Sequence, residues 1–288
     1  MTQALAGPEP LIDVHAHFYY AGTGRSDWAE VNEARFRAGD RIGITYHVAS
    51  VLGTYGFSSP TYFPSPEDVS AGNDVMLEIA SHDNHRVRMY VTVNPNYTEH
   101  AIGEIERCVA RGAIGVKLLA SRRADDVLLD PIAELAGARR LPVLHHIWQH
   151  RRREWPSQEI SDGADLARLA TRHPRTSFIL AHIAGGGDYA HTYPAIVDTP
   201  NVFPDLSGSG VDRGMLDDAL AALGPERLLW ACDITMETGL AKLRALEVMG
   251  LDADELASIR WRNAARIFPR DSFPRAATSS VEVAATGR

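Results

Sequence analysis

The stretch IDVHAHF at residues 12–18 places two histidines inside an apolar, strand-like run near the start of the chain. Side chains alternate between the two faces of a strand, so His15 and His17 are predicted to project to one side and Val14 and Ala16 to the other. Two imidazoles on one side of a strand end can share one metal ion, although a bare His-x-His pattern is also common among core and surface residues. The interpretation therefore depends on what the other strands supply.

Eight short β-branched or apolar runs recur along the chain, each followed by a loop and a helix-like segment. They start roughly 25 to 45 residues apart, the length of a strand plus a crossover helix, and no hairpin-length link joins them. Eight such units favour an α/β fold, a distorted (β/α)8 TIM barrel with an additional C-terminal helix, over an open sheet. The runs are 11–18, 43–52, 87–95, 114–119, 142–147, 177–183, 202–207 and 228–234.

The remaining signals concern boundaries. Ser65 before Pro66 is typical of a helix start, Asp252 with Glu255 resembles a capping box before a last helix, and Pro204 makes the seventh strand the least regular. We expect a disordered tail because the sequence at the end of the chain is small and polar, with no period to bury. The predicted organisation is an N-terminal extension at 1–10, one barrel domain at 11–269 and a C-terminal tail at 270–288.

Composition excludes several classes of protein. A formal net charge of −8 over 288 residues argues against a general binder of nucleic acid or of anionic membranes, since either needs a basic surface. Only two cysteines occur, far apart and without CxxC spacing, which suits a reducing compartment. The first residues carry no secretory signal pattern, and no run approaches the ~20 apolar residues of a membrane span. A cytoplasmic protein is predicted.

Ligand-type and charged residues stand at the ends of six of the predicted strands. In a barrel of this kind the carboxyl ends of the strands form the catalytic face, so residues far apart in sequence would converge there. One such placement is easily accidental, but six are not. The residues are His15 and His17, Lys117, His145 and His146, His182, Asp205, and Asp233.

These motifs together resemble the amidohydrolase superfamily, specifically the amidohydrolase-related group of small-molecule hydrolases and nonoxidative decarboxylases. The resemblance covers about residues 11 to 269, and its motifs are specific in combination. They are HAH on strand one, LPVLHH on strand five, FILAHIAGGG on strand six, NVFPDLSG on strand seven, RLLWACDIT on strand eight and the closing RNAARIF.

The resemblance implies one divalent metal ion held by His15, His17, His146 and Asp233. Zinc is the first expectation for three imidazoles and a carboxylate, with manganese or iron as alternatives. The family pattern Pro-Val-x-x-His falls on His146, and the preceding histidine is the fallback, because neighbours on a strand point in opposite directions. His182 and Asp233 are the implied catalytic residues, acting on the proton of a metal-bound water or of the substrate.

Five further residues are candidates for contact with substrate. Lys117 either pairs with an anion or, as in two-metal relatives, is carboxylated and bridges two ions. Arg122 and Arg151 lie in loops after strands four and five, where an arginine can bind a substrate carboxylate or simply be solvated. Tyr19 and Trp148 suit the wall of a pocket for a cyclic or aromatic compound.

The first functional hypothesis is a metal-dependent hydrolase that cleaves an amide, ester or lactone bond of a small anionic molecule. The alternative is a metal-dependent nonoxidative decarboxylase of an aromatic or unsaturated acid, because both reactions use the same ligands. A third reading is a noncatalytic barrel, against which the retained set of ligands argues. The expected partner is a small-molecule substrate, and the aromatic loop at 53–66 is a lid, a pocket wall or a homodimer contact.

Overall fold

The computed structural model describes residues 9–51, 63–147, 159–183, 189–210 and 213–274. Within them, seven parallel strands hydrogen-bond in sequence order, and helices lie between successive strands. This arrangement confirms the predicted TIM barrel. In the described part of the chain, no helix is long and apolar enough to cross a membrane.

Each strand coincides with the core of one predicted apolar run, and the helices lie between these runs or, for the last three, after the eighth run. The strands are β1 (Ile12–Phe18), β2 (Tyr46–Val51), β3 (Val87–Val93), β4 (Gly115–Leu118), β5 (Val143–His145), β6 (Phe178–Leu180) and β7 (Val202–Pro204). The helices are α1 (Trp28–Ile42), α2 (Pro66–His82), α3 (Thr98–Val109), α4 (Asp130–Arg139), α5 (Gly163–Arg172), α6 (Tyr189–Ile196), α7 (Arg213–Leu223), α8 (Met236–Glu247), α9 (Ala253–Ala257) and α10 (Asn263–Ile267).

The eighth predicted strand, residues 228–234, closes the barrel without forming a regular ladder. It makes isolated parallel bridges to both neighbours, from Asp233 to Ala16 of β1 and from Leu229 to Asp205 after β7. The N–H of Asp233 donates to the carbonyl of His15 at 2.7 Å. We call this closure, residues 228–234 with β1 and β7, the seam.

A β-bulge in β1 corrects the simple alternation expected for the first strand. Between the pairs Asp13–His47 and Ala16–Ala49, two residues of β1 stand opposite the single residue Val48. Val14 therefore packs in the interior cluster that contains Val48, rather than on the face of Ala16. A bulge bends the strand and redirects its side chains, and here it includes His15 and lies just before His17.

The amino-terminal end of the barrel is filled by aromatic side chains. Tyr90 lies inside, where its hydroxyl donates to the carbonyl of Val14 at 2.7 Å, and its ring is 5.9 Å from that of Phe268. Phe273 packs against Phe268 and Tyr46, and the Tyr46 hydroxyl donates to the carbonyl of Pro274. The packed chain thus continues to residue 274, beyond the predicted barrel boundary at 269, and residues 275–288 lie outside the described part.

Helix starts follow their sequence signals. Ser65 caps α2 by accepting from the N–H of Asp68, and Asp252 and Glu255 form the reciprocal capping box of α9. Residues 258–262 form a π-helical turn that joins α9 to α10. Both caps satisfy main-chain N–H groups that the first turn of a helix otherwise leaves without an acceptor.

Candidate active site

His15 and His17 turn the same ring nitrogen toward one point. Nδ1 of His15 lies 2.9 Å from Oδ2 of Asp205, and Nδ1 of His17 lies 3.3 Å from the carbonyl oxygen of Ser50. Because a carboxylate can only accept, Nδ1 of His15 carries the proton and its Nε2 presents a lone pair. Nδ1 of His17 also lies 3.2 Å from the Ser50 hydroxyl, which can donate or accept, and a lone pair at its Nε2 is the state that a metal ion would require. Burial lowers the pKa of both imidazoles, that of His15 to about 3, so both rings stay neutral.

Asp233 brings a carboxylate to the same point from the seam. Its Oδ1 lies 3.1 Å from Nε2 of His17 and 3.8 Å from Nε2 of His15. Its backbone is in the left-handed region, with φ of 58°, which an aspartate adopts only where its surroundings require it. Burial would raise the pKa of this carboxyl, but nearby His182 and His15 outweigh it and hold the pKa well below its usual range.

This donor set fits a divalent cation. The two Nε2 atoms lie 3.1 Å apart, and the candidate ligand atoms of His15, His17 and Asp233 all lie within 4.8 Å of one another. Three electron-pair donors facing one point repel unless a positive charge lies among them. Two imidazoles with a carboxylate are also the donor types of catalytic zinc sites.

Lys117 supplies the positive charge nearest to this point. Its Nζ lies 3.0 Å from Nε2 of His15, and the side chain is fully buried on the inner face of β4. Burial lowers the pKa of Lys117 to about 8, although the charges of Asp233 and Asp205 act in the opposite direction. The ammonium therefore uses the same His15 lone pair that a metal would use.

His182 lies on the other side of Asp233. Its Nε2 is 3.2 Å from Oδ2 of Asp233, while its Nδ1 is 3.3 Å from the carbonyl oxygen of Ile147, which can only accept. The two oxygens of Asp233 are thus divided, one toward the histidines of β1 and one toward His182. His182 also has a left-handed backbone, with φ of 63°, at the turn after β6.

The two adjacent histidines at the end of β5, His145 and His146, point in different directions. His145 is in register with Leu118 and Leu180, whose side chains belong to the outer core between sheet and helices. The ring of His146, one residue later, lies 4.7 Å from the ring of His182. The register therefore directs His146, rather than its neighbour, to the side of the candidate site.

Asp205 orients His15 by accepting a hydrogen bond from its Nδ1. Besides His15, it accepts hydrogen bonds at Oδ1 from the N–H of His182 at 3.1 Å and from the N–H and hydroxyl of Ser207 at 2.9 and 2.5 Å. Burial alone would raise the pKa of Asp205, but His15 and the Ser207 hydroxyl reverse this and lower it to about 2. A carboxylate that orients a ligand histidine is a common support of metal sites.

The predicted substrate-binding residues are only partly brought to the site. Tyr19 is half-buried beside Arg25, and burial raises its pKa, with a further contribution from the charge of Asp233. Arg122 donates to the side-chain oxygen of Asn96, in the loop after β3, at 2.5 Å and lies 3.5 Å from a carboxylate oxygen of Asp126 in its own loop. The other two, Trp148 and Arg151, lie outside the described residues.

Sequence reasoning missed three charged residues that surround the site. Asp13 and Arg35 form a buried ion pair at the seam, with 2.6 Å between Oδ2 and Nη2. Lys242 of α8 is buried and donates to the carbonyl of Gly208, in the loop that follows Asp205. Asp13 stands two residues before His15, a usable signal, but nothing in the sequence of α1 or α8 distinguishes a buried cation from an exposed one.

A parallel barrel with imidazole and carboxylate groups converging at the carboxyl ends of its strands defines the class of TIM-barrel enzymes with metal-ligand active sites. The sequence model described as amidohydrolase matches residues 12–270, nearly the whole chain, and the protein belongs to this family. No curated protein gives a significant match.

Solved structures share the fold at low sequence identity. The 5-carboxyvanillate decarboxylase of Sphingomonas paucimobilis is 18% identical over 91% of this chain and 99% of its own, with a TM-score of 0.66. A dihydroxybenzoic acid decarboxylase of Polaromonas, with bound manganese and the inhibitor 2-nitroresorcinol, is 19% identical over 90% and 97%, with a TM-score of 0.67. An uncharacterised TIM-barrel protein of Bordetella bronchiseptica is 14% identical over 90% and 98%, with a TM-score of 0.66.

Proposed function

We propose that this chain is a metal-dependent nonoxidative decarboxylase of an aromatic or unsaturated carboxylic acid. The observation that carries the proposal is the convergence of His15, His17 and Asp233 beside the buried cation Lys117. A site that combines three metal-ligand groups with a cation favours an anionic substrate. Support for the reaction comes from structural neighbours that decarboxylate hydroxylated aromatic acids, two of them with bound manganese.

His15, His17, His146 and Asp233 are proposed to hold the ion. When bound, a divalent cation there would act as a Lewis acid toward a substrate oxygen or lower the pKa of a water molecule. Lys117 would release the lone pair of His15 in that state, because the two cations compete for it. We propose zinc on the basis of the nitrogen-rich donor set, with manganese as the alternative.

His182 and Asp233 are proposed to manage the proton. In decarboxylation the bond between the carbon skeleton and the carboxylate breaks, carbon dioxide leaves, and the electron pair left on carbon takes up one proton. Since Nδ1 of His182 donates to a carbonyl, a transferable proton of this pair would be held at the contact between Nε2 and Oδ2 of Asp233, 3.2 Å apart. Protonation of carbon by this pair completes the reaction.

Hydrolysis is the second candidate, because the lowered pKa of Asp233 keeps its carboxylate ionised and able to accept a proton. An ionised carboxylate can take a proton from water, which then attacks an amide, ester or lactone, while His182 protonates the leaving group. The ligands are the same in both reactions, so the fate of the substrate has to separate them.

Product analysis on a panel of hydroxylated aromatic acids and their amides, esters and lactones tests the proposal. Release of labelled carbon dioxide from a carboxyl-labelled acid, without incorporation of oxygen from labelled water, is expected. Incorporation of water oxygen without carbon dioxide would replace decarboxylation by hydrolysis. Turnover by D233N at the wild-type rate would contradict both mechanisms.

Metal analysis of protein purified without added metal or chelator tests the site. One equivalent of zinc per chain is expected, and manganese would correct the ion. Two equivalents would favour a carboxylated Lys117 between two ions. The cytoplasmic location, a homodimer and substrate contacts by Tyr19, Arg122, Trp148 and Arg151 stay predictions.

A further inference from the structure

Asp13 is the centre of a buried bonding network at the seam. Its Oδ1 accepts from the main-chain N–H of His15 at 3.2 Å and of Cys232 at 3.0 Å. Its Oδ2 accepts from Nη2 of Arg35 at 2.6 Å and faces Nδ1 of His47 at 3.3 Å. The carboxylate is completely buried and has four partners, so it links β1, β2, α1 and the eighth segment.

Arg35 contacts the seam at a second place. While Nη2 binds Asp13, Nη1 donates to the main-chain carbonyl of Asp233 at 2.6 Å. The side chain enters from α1 and is only 6% exposed. The flat guanidinium presents both donors in a fixed fork, which a lysine ammonium cannot reproduce.

These contacts fix the main chain around Asp233 on every side. The N–H of Cys232 is bound by Asp13, the N–H of Asp233 by the carbonyl of His15, and the carbonyl of Asp233 by Arg35. A left-handed backbone at a residue other than glycine persists only where the surrounding structure determines it repeatedly. Here that backbone turns the Asp233 carboxylate toward His15 and His17.

We propose that Arg35 is a positioning residue for the metal site. Through Asp13 and the carbonyl of Asp233 it holds the left-handed turn that directs the Asp233 carboxylate at the two histidines. Arg35 contacts the main chain of Asp233, not its carboxylate, so its effect on the metal passes through that turn. The inference rests on the proposed function, since it concerns the affinity of the same site for a metal.

Zinc titration of metal-free protein against a competing chelator tests the proposal on the wild type, R35M, R35K and R37M. Arg37 is an exposed residue of the same helix and serves as the matched control. We expect R35M to bind zinc about 10- to 100-fold more weakly, as for other residues that orient ligands, with R35K in between and R37M unchanged. Cobalt(II) loading should show a changed visible spectrum in R35M, because the ligand geometry has changed.

Far-UV circular dichroism ensures that only folded variants are compared. A role limited to stability would lower the melting temperature but leave zinc affinity and the cobalt spectrum of folded protein at wild-type values, and that result would overturn the proposal. If R35M does not fold, R35K decides, because an affinity within about twofold of the wild type would show that the fork is not needed. If the wild type binds neither zinc nor manganese, the proposed function and this inference fall together, whereas equal binding by all variants would overturn the inference alone.

Discussion

The sheet from β3 to β6 and the seam are held together by different bonds. Strands β3 and β4 pair at four consecutive residues, and the next strands continue this parallel register with buried apolar side chains on the outer face. At the seam the ladder is reduced to isolated bridges, and charged side chains make the connections instead. Asp13, Arg35 and Asp205 are buried there, and Asp233 is mostly buried.

The difference teaches where this barrel can support chemistry. A regular ladder uses its main-chain groups for pairing and points its side chains by simple alternation. At the seam, side chains replace part of that pairing, and they also set the direction of His15 and Asp233. The irregular closure is therefore the place where small changes should affect the metal site most strongly.

The largest effect is expected from D233N, which breaks the site at the seam while keeping the shape of the residue. Asparagine lacks the charge that balances a cation between His15 and His17. The affinity of the site for the metal should therefore fall at least about 100-fold. The main-chain bonds of residue 233 remain, so circular dichroism should be unchanged. Mass spectrometry of metal content measures the effect, with the exposed D198N as control, and retention of a full equivalent would contradict the ligand assignment.

The next largest effect is expected from D13N, on the free energy of unfolding and its dependence on pH. Burial would raise the pKa of Asp13, but the charge of Arg35 and the hydrogen bonds of His47 and Cys232 outweigh it, so the pKa lies below its ordinary value. A depressed carboxyl pKa stabilises the folded state above the unfolded pKa of ~3.9, and this contribution is lost as the pH falls through the folded-state pKa. D13N should lower the free energy of unfolding by about 3 kcal/mol near neutral pH.

Urea unfolding of metal-free protein at about pH 7 and about pH 3 measures this difference, which should shrink in acid because the unfolded chain takes up a proton at this carboxyl below its pKa of ~3.9. The exposed D40N serves as control and should match the wild type at both values. A difference that is the same at both pH values would show that the ion pair is not the source of the stability.

A smaller effect is expected at the other edge of the seam. D205N replaces an acceptor by an amide that can donate toward Nδ1 of His15, which would move the imidazole proton to Nε2 and remove the ligand lone pair. Zinc affinity should fall about 10- to 100-fold. S207A, which removes a hydroxyl bonded to Asp205 but keeps the carboxylate, should lose less, and equal losses in the two variants would contradict this order.

The smallest effect is expected from S65A, a substitution outside the seam that should lower stability without changing the affinity of the metal site. S65A removes the side-chain acceptor of the Asp68 N–H at the start of α2, and loss of such a cap costs about 1 kcal/mol of stability. Thermal unfolding should shift accordingly while zinc affinity stays at the wild-type value. A parallel loss of affinity would show that the two regions are coupled more strongly than their contacts indicate.

The regular part of the fold could be predicted from sequence because its signals are local. Apolar runs with crossover spacing gave the strands, and the Ser65 and Asp252 patterns gave the helix starts. The convergence of strand-end residues such as His15, His17 and Asp233 could be predicted because parallel strands bring their carboxyl ends together.

The seam could not be predicted in the same way because its features depend on contacts between distant parts of the chain. A bulge at Val14 and His15 has no signature in an alternating pattern, and the left-handed turn at Asp233 is held by three main-chain bonds from β1 and α1. Arg35 resembles any arginine of an amphipathic helix until α1 is placed against β1. Arg122 shows the same limit, since its place after β4 gives no sign of its bonds to Asn96 and Asp126, and its contact with substrate stays a prediction.

The seam can form only late in the synthesis of the chain. Asp13 and its main-chain partner Cys232 are 219 positions apart, so the ribosome delivers the first strand long before the segment that covers its open edge. An unpaired strand edge is a template for wrong pairing with other chains. The nascent protein therefore has to keep this edge protected through most of its translation, and a chain that stops before residue 228 would retain its first two histidines on a surface built to be closed.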